Sequence, residues 1–240
     1  MNLSTRPIAC GPICPDNCRC KCQDWTTRET TQLILIGQYD SPFVRRVAIA
    51  LRLYGLPFEH RPWSVFGDAE KIRIHNPLTR VPTLVLDNGE VLLESHAMLD
   101  YLDTLAPIGQ RLFPAHGVER YRALRIAALA CGAAEKAVAL FYELRLHQQV
   151  SQIWAERCRS QVEAALSLLE NERSGKPGDF WFGRQIGHAD IAVAVALRFI
   201  GEAHPGLFDP AGFPAMASHA ARLEAMPVFG QTSQPFVPPA

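Results

Sequence analysis

The spacing of apolar residues switches back and forth between strand and helix over the first half of this chain. Leu33-Ile34-Leu35-Ile36-Gly37 is a short unbroken apolar run, the pattern of a buried strand. Val44, Val47, Ala48 and Leu51 then recur at helical spacing, which predicts a helix over 42–54. Ser41 as N-cap and Pro42 at the first helical position open it, and Gly55 with Pro57 just beyond closes it. A strand at about 58–63 and a helical turn at about 67–75 follow. Val81-Pro82-Thr83-Leu84-Val85-Leu86, the turn Asp87-Asn88-Gly89-Glu90 and Val91-Leu92-Leu93 predict a hairpin, with positive φ expected at both Asn88 and Gly89. Glu94-Ser95 opens a helix over 95–105. From Val118 onward helical spacing dominates, with helices expected at about 117–147, 150–171, 188–201 and 214–225.

A crossover helix between the first two strands implies parallel pairing, and the hairpin adds antiparallel strands. The fold class is therefore an α/β N-terminal domain followed by an all-α helical bundle. Pro107, Gly109 and Pro114 mark the break. The expected division is a disordered Cys-rich extension over 1–30, an α/β domain over 31–107, a linker over 108–116 and a helical domain over 117–240.

Composition narrows the function classes. The formal net charge is +0, which gives no basic footprint for nucleic acid and no attraction to an anionic membrane surface. No apolar run is long enough to span a bilayer, and the N-terminus carries no apolar secretory segment. Five of the 7 cysteines crowd into Cys10, Cys14, Cys18, Cys20 and Cys22; only Cys131 and Cys158 lie in the body. A disulfide framework would spread them across the fold, so the body reads as reduced and cytoplasmic. The spacing of the five fits no usual zinc framework, and no metal is expected.

Two features converge on one chemistry. Pro82 starts a strand, where it removes no interior ladder donor, and the bond before it is able to be cis, baring the backbone of Val81. Glu94 and Ser95 stand at a helix N-terminus, where free N–H groups and the helix dipole favour a carboxylate. A bare strand edge beside an anion site suits a small acidic peptide. Ser41 alone reads as an N-cap; Val44, three residues on, completes no capping box and leaves its hydroxyl less committed.

These residues carry a resemblance. Tyr39-Asp40-Ser41-Pro42-Phe43-Val44-Arg45-Arg46-Val47-Ala48-Ile49-Ala50-Leu51, Asn76-Pro77, Arg80-Val81-Pro82, Glu94-Ser95 and Phe182-Gly183-Arg184-Gln185-Ile186-Gly187-His188-Ala189-Asp190-Ile191-Ala192 fall in the order of serine-type glutathione transferases. The chain resembles the tau class and small bacterial transferases from about Thr31 to about Phe236. The resemblance implies a thioredoxin-like N-terminal domain, glutathione as cosubstrate, a homodimer, and transfer of the thiol to small, largely apolar electrophiles in detoxification. The alternatives are a glutathione-dependent isomerase or peroxidase on the same fold, or a non-catalytic binding or regulatory protein.

It also implies roles. Ser41 would donate a hydrogen bond to the glutathione sulfur, whose thiol, with a pKa of about 8.5, is only about 3% ionised at pH 7. Tyr39 is a competing hydroxyl, read as a loop aromatic packed on the core. Val81, before Pro82, would pair its backbone with the cysteinyl amide. Glu94 would accept from the γ-glutamyl ammonium, and Ser95 would hold the adjoining carboxylate. The tau class has a lysine for the glycyl carboxylate near the place of Asp68; Arg80, Lys71, Arg73 and His75 are substitutes, with Arg80 first because it adjoins the edge. Ile186-Gly187-His188-Ala189-Asp190-Ile191 resembles the family's capping box and hydrophobic staple, a folding device. Phe43, Tyr121, Phe141, Tyr142 and Trp154 are candidates for the wall that meets the second substrate.

Overall fold

Strand β1 (Leu33–Ile36) is buried on both faces, with Leu35 in one apolar cluster and Ile36 in another on the opposite side of the sheet. The computed structural model describes residues 33–236 and Pro238, so the cysteine-rich extension expected over 1–30 lies outside the described residues. Helix α1 (Pro42–Leu53) crosses over to β2 (Phe58–Arg61), which pairs parallel with β1. A short helix α2 (Ala69–His75) leads to β3 (Thr83–Val85) and β4 (Val91–Leu93), both in antiparallel pairings, and the sheet order is β2-β1-β3-β4. Helix α3 (Ser95–Leu105) and a 3-10 turn at Ile108–Gln110 end the α/β part. Helices α4 (Gly117–Leu146), α5 (Gln152–Ser174), α6 (His188–Ala203), α7 (Pro214–Glu224) and α8 (Pro227–Gly230) complete the chain. This is a thioredoxin-like domain followed by a helical one, the fold class expected.

Three details differ from expectation. The 3-10 turn and α8 are too short to carry a helical period, so nothing in the apolar pattern announces them. Strand β2 stops at Arg61, short of the expected end. The hairpin keeps its glycine but changes its turn: Gly89 N–H donates to Leu86 O at 3.0 Å and Leu86 N–H to Glu90 O at 2.8 Å, while only Gly89, at φ 83°, is left-handed. That is a three-residue loop, a type I turn followed by a glycine bulge. Asn88 needs no positive φ because its Oδ1 accepts from Glu90 N–H at 2.9 Å, closing the loop through its side chain.

The two parts share a core. Ile191, Ala194 and Val195 of α6, with Leu223 and Phe229, pack among α1, α3 and the sheet. A buried polar hub joins them as well. Tyr54 Oη donates to Asp103 Oδ1 at 2.7 Å, and the same oxygen accepts from Leu112 N–H at 2.8 Å and Phe113 N–H at 3.2 Å. His188 Nε2 lies 3.0 Å from Tyr54 Oη.

His188 makes this hub acid-sensitive. Burial first, then the charge of Arg46, pushes its pKa well below the ordinary histidine value. Asp103, with Oδ1 at 4.0 Å from His188 Nε2, does not reverse this, since that oxygen already accepts three hydrogen bonds. In the unfolded chain the ring titrates near ~6.5, so below that pH the unfolded state binds the extra proton. Stability from this ring is present above about pH 6.5 and declines on acidification, by at most about 1.4 kcal/mol per pH unit. The melting temperature of the parent is expected to fall between pH 7 and pH 5, and that of His188→Gln to fall less steeply. Equal slopes in thermal melts of the two would remove His188 as a cause.

Candidate active site

Three backbone segments meet at Gly37, the residue after β1. Its φ is 128°, and a Cβ there would stand 2.5 Å from Val44 Cγ2 and 2.8 Å from Val81 Cβ. A bare α-carbon thus lets the first turn of α1 and the approach to β3 close on one point. The Val81–Pro82 peptide is cis, and neither the N–H nor the C=O of Val81 has a hydrogen-bond partner among the described residues.

Asn76, buried after α2, holds the loop that presents Val81. Its Nδ2 donates to Arg80 O at 2.9 Å and Thr83 Oγ1 at 3.0 Å, and its Oδ1 accepts from Leu78 N–H at 3.0 Å. Thr83 Oγ1 also donates to Arg80 O at 3.0 Å. Removing the amide strands buried groups that each cost about 1–3 kcal/mol. Asn76→Ala is expected to lower stability by about 2–4 kcal/mol. It should also weaken ligand binding at Val81; an unchanged denaturation midpoint would refute the role.

Ser41 is the N-cap of α1, with φ −69° and ψ 121°. Its Oγ accepts from Val44 N–H at 3.4 Å, a long bond, and its hydroxyl proton has no acceptor among the described residues. Serine here is a weak cap with a donor to spare. Tyr39 is otherwise engaged: its ring is buried and stacks on His60 at 3.9 Å, and burial raises its pKa.

At the other end, Glu94 caps α3 with a φ of 64°, a left-handed conformation unusual for a side-chain-bearing residue. Such backbone concentrates at ligand sites. Glu94 is exposed and paired with Arg80 at 3.0 Å. Arg80, expected for the glycyl carboxylate, therefore rests beside the γ-glutamyl end. The other substitutes also have partners: Lys71 pairs with Asp68 at 2.7 Å, Arg73 with Glu70 at 2.6 Å, and His75 stacks on Trp63. Ser95 is buried, and its Oγ accepts from Arg46 Nη1 at 3.3 Å.

A cleft gathers Arg80, Val81, Pro82, Glu94 and Ser95 with Phe43, His96 and Glu135. Ser41 is not among its lining residues; it stands at the start of the helix that sends Phe43 into the cleft. Of the expected second-substrate aromatics, Phe43 lines the cleft and Tyr142 packs edge-to-face on Phe66 at 5.6 Å. Phe141 is buried against Phe236, and Tyr121 and Trp154 lie outside the lining. Arg46, His96 and Glu135 were not anticipated. The available signal was two adjacent arginines inside an otherwise apolar helix. Arg45 is explained by a bidentate pair with Glu224, at 2.6 and 2.7 Å; Arg46 has no such partner.

A thioredoxin-like domain with an unpaired rim, followed by an all-helical domain, defines the class of protein. Two family models match: Glutathione S-transferase, N-terminal domain, over residues 35–111, and Glutathione S-transferase, C-terminal domain, over 152–222. The chain is 30% identical over 176 residues to Glutathione S-transferase U4 of Arabidopsis thaliana, covering 69% of this chain and 70% of that protein. It is 28% identical over 217 residues to a probable maleylacetoacetate isomerase of Vibrio cholerae, covering 84% and 95%. Among solved structures it is similar to a glutathione S-transferase of Methylobacterium radiotolerans in complex with glutathione sulfonate, with a TM-score of 0.79, 29% identity, and 88% and 100% coverage. The chain belongs to the glutathione S-transferase family.

Proposed function

We infer that the protein is a glutathione transferase that ionises the thiol of glutathione and transfers the sulfur to small, largely apolar electrophiles. The unpaired backbone of Val81 carries this reading, because an extended tripeptide pairs with it as an added strand. Residues 31–107 form the glutathione-binding domain in this reading, and residues 117–240 the substrate domain. Ser95 and the start of α3 receive the γ-glutamyl carboxylate, and Glu94 its ammonium. The Arg80–Glu94 pair is exposed, and such pairs contribute about 0–1 kcal/mol, so Arg80 is free to exchange Glu94 for the glycyl carboxylate.

Ser41 donates its hydroxyl hydrogen to the sulfur, and the dipole of α1 adds to the stabilisation of the thiolate. The thiol proton leaves to solvent. The sulfur lone pair then attacks the electrophilic carbon, an S–C bond forms, and the leaving group departs with its bonding pair. Holding both reactants in one cleft lowers the entropic barrier. Phe43 and Tyr142 offer the electrophile an apolar wall. The match to an isomerase favours a second reading, in which the same thiolate adds to a double bond and is later expelled.

A homodimer fits the family, with exposed Tyr101, Val118, Tyr121 and Leu124 as apolar surface to be covered; among the described residues no helix is long and apolar enough to cross a membrane, and the cytoplasm is the proposed location. Calorimetry with glutathione, followed by a conjugation assay with an aryl halide, tests the main reading. Binding and S-aryl product are expected. Glu94→Ala should lose retention on immobilised glutathione. No heat with millimolar glutathione would overturn the proposal, and isomerisation without conjugation would favour the second reading.

A further inference from the structure

Arg46 is a buried cation with no counter-ion among the described residues. Its exposure is 1%. Nη1 donates to Cys131 Sγ at 2.8 Å and to Ser95 Oγ at 3.3 Å, and lies 3.5 Å from His96 Nε2. Nε and Nη2 are buried with no hydrogen-bond partner. Burial keeps the Cys131 thiol above its ordinary pKa, against the opposing pull of Arg46, so Cys131 does not supply the missing negative charge. His96 is held neutral at pH 7, its pKa pushed down to about 4 by burial and then by Arg46. A guanidinium left this way costs folding several kcal/mol, and its neighbour is the N-terminus of the 11-residue helix α3, which is itself electropositive. Two positive features face one spot at the closed end of the cleft, where Ser95 forms the floor.

We propose that Arg46 is the counter-ion for the γ-glutamyl α-carboxylate of glutathione, a positioning residue that acts through Ser95. The inference rests on the reading of the cleft as a glutathione site and adds to it which charge makes the carboxylate end selective. Arg46 holds the Ser95 hydroxyl by its oxygen, which leaves the hydroxyl hydrogen to point at the ligand. The ligand's charge then neutralises a cation that the empty fold leaves unpaired. Stability of the free protein is thereby given up for affinity, a trade seen where a site is built for function.

The test compares two ligands by calorimetry: glutathione, and 4-aminobutanoyl-cysteinyl-glycine, which lacks only the α-carboxylate. The parent is expected to prefer glutathione by about 30-fold or more, the loss typical of removing one partner of a buried hydrogen-bonded charge pair. In Arg46→Met, of similar length and no charge, the preference is expected to shrink to about threefold, while the ligand-free protein melts no lower than the parent. Arg46→Lys keeps the charge and is expected to keep most of the preference. A merely structural role makes the opposite forecast: Arg46→Met melts lower, or does not fold, and any folded fraction loses affinity for both ligands equally. That result, or a preference undiminished in Arg46→Met, overturns the inference. Should Arg46→Met not fold, loss of the preference in a folded Arg46→Lys counts against it as well. Failure of the parent to bind either ligand would instead sink the glutathione reading, and this inference with it.

Discussion

Replacing Ser41 by alanine is expected to move the pKa of enzyme-bound glutathione upward by 1–2 units, ~1.4–2.7 kcal/mol of lost thiolate stabilisation. At pH 7 a thiol brought to a pKa of about 6.5 is mostly ionised, whereas one at about 8.5 is about 3% ionised. kcat/KM should therefore fall roughly 30-fold at neutral pH, and much of the loss should return as the pH is raised through the new pKa. The sign follows from a donor that favours the charged form of the sulfur. KM for glutathione should change little, because Val81, Glu94 and Ser95 remain. The fold should tolerate the change: the hydroxyl's only intramolecular bond is the 3.4 Å contact from Val44 N–H, so the lost cap costs about 0.5–1 kcal/mol. The decisive measurement is the pH–rate profile of conjugation. An unshifted profile would mean that another donor ionises the sulfur. Tyr39 is poorly placed to be that donor, since its ring is stacked under His60.

Asp190→Ala is expected to be the most damaging substitution for stability. Asp190 is 1% exposed and serves three elements at once. Oδ2 accepts from Gly187 N–H at 2.8 Å, capping α6; Oδ1 accepts from Trp181 N–H at 2.7 Å and lies 3.3 Å from His219 Nε2. Alanine leaves two buried N–H groups without acceptors and removes the carboxylate from a buried histidine. Those losses sum to about 3–5 kcal/mol, within the range for breaking a buried charged network. For a chain of this size that is a fall in Tm of about 8–15 °C. Asp190→Asn keeps one acceptor oxygen and should fall roughly half as far. Glutathione affinity of the folded fraction should be unchanged, which separates this residue from the cleft. A thermal melt within ~2 °C of the parent would show that water or another donor replaces the carboxylate.

The same capping segment shows where reading a sequence stops. The resemblance marks Gly187 as a departure from a family that usually places serine or threonine there. The reason lies elsewhere in the chain: a Cβ at 187 would stand 2.9 Å from Leu112 O, which accepts the His188 N–H at 3.0 Å. Asp190 supplies the cap that the missing side chain cannot. His188, read from sequence as ordinary packing, is instead a fully buried member of the Tyr54–Asp103 hub.

Local order alone determined a good part of this protein. Ser41-Pro42 starts α1, Glu94-Ser95 starts α3 over the expected 95–105, and Gly187 to Asp190 caps α6. Capping and apolar period act within a turn or two of helix, so neighbouring residues suffice to specify them, and the order of these signals along the chain discloses the family. Only the tertiary structure decided which groups meet. Arg46 reaches Ser95 and Cys131 across 49 and 85 residues, Arg80 turns to Glu94, and Val81 closes on Gly37. Whether a charge is answered or left unpaired depends on burial and on partners that distant segments bring, and no local pattern encodes that.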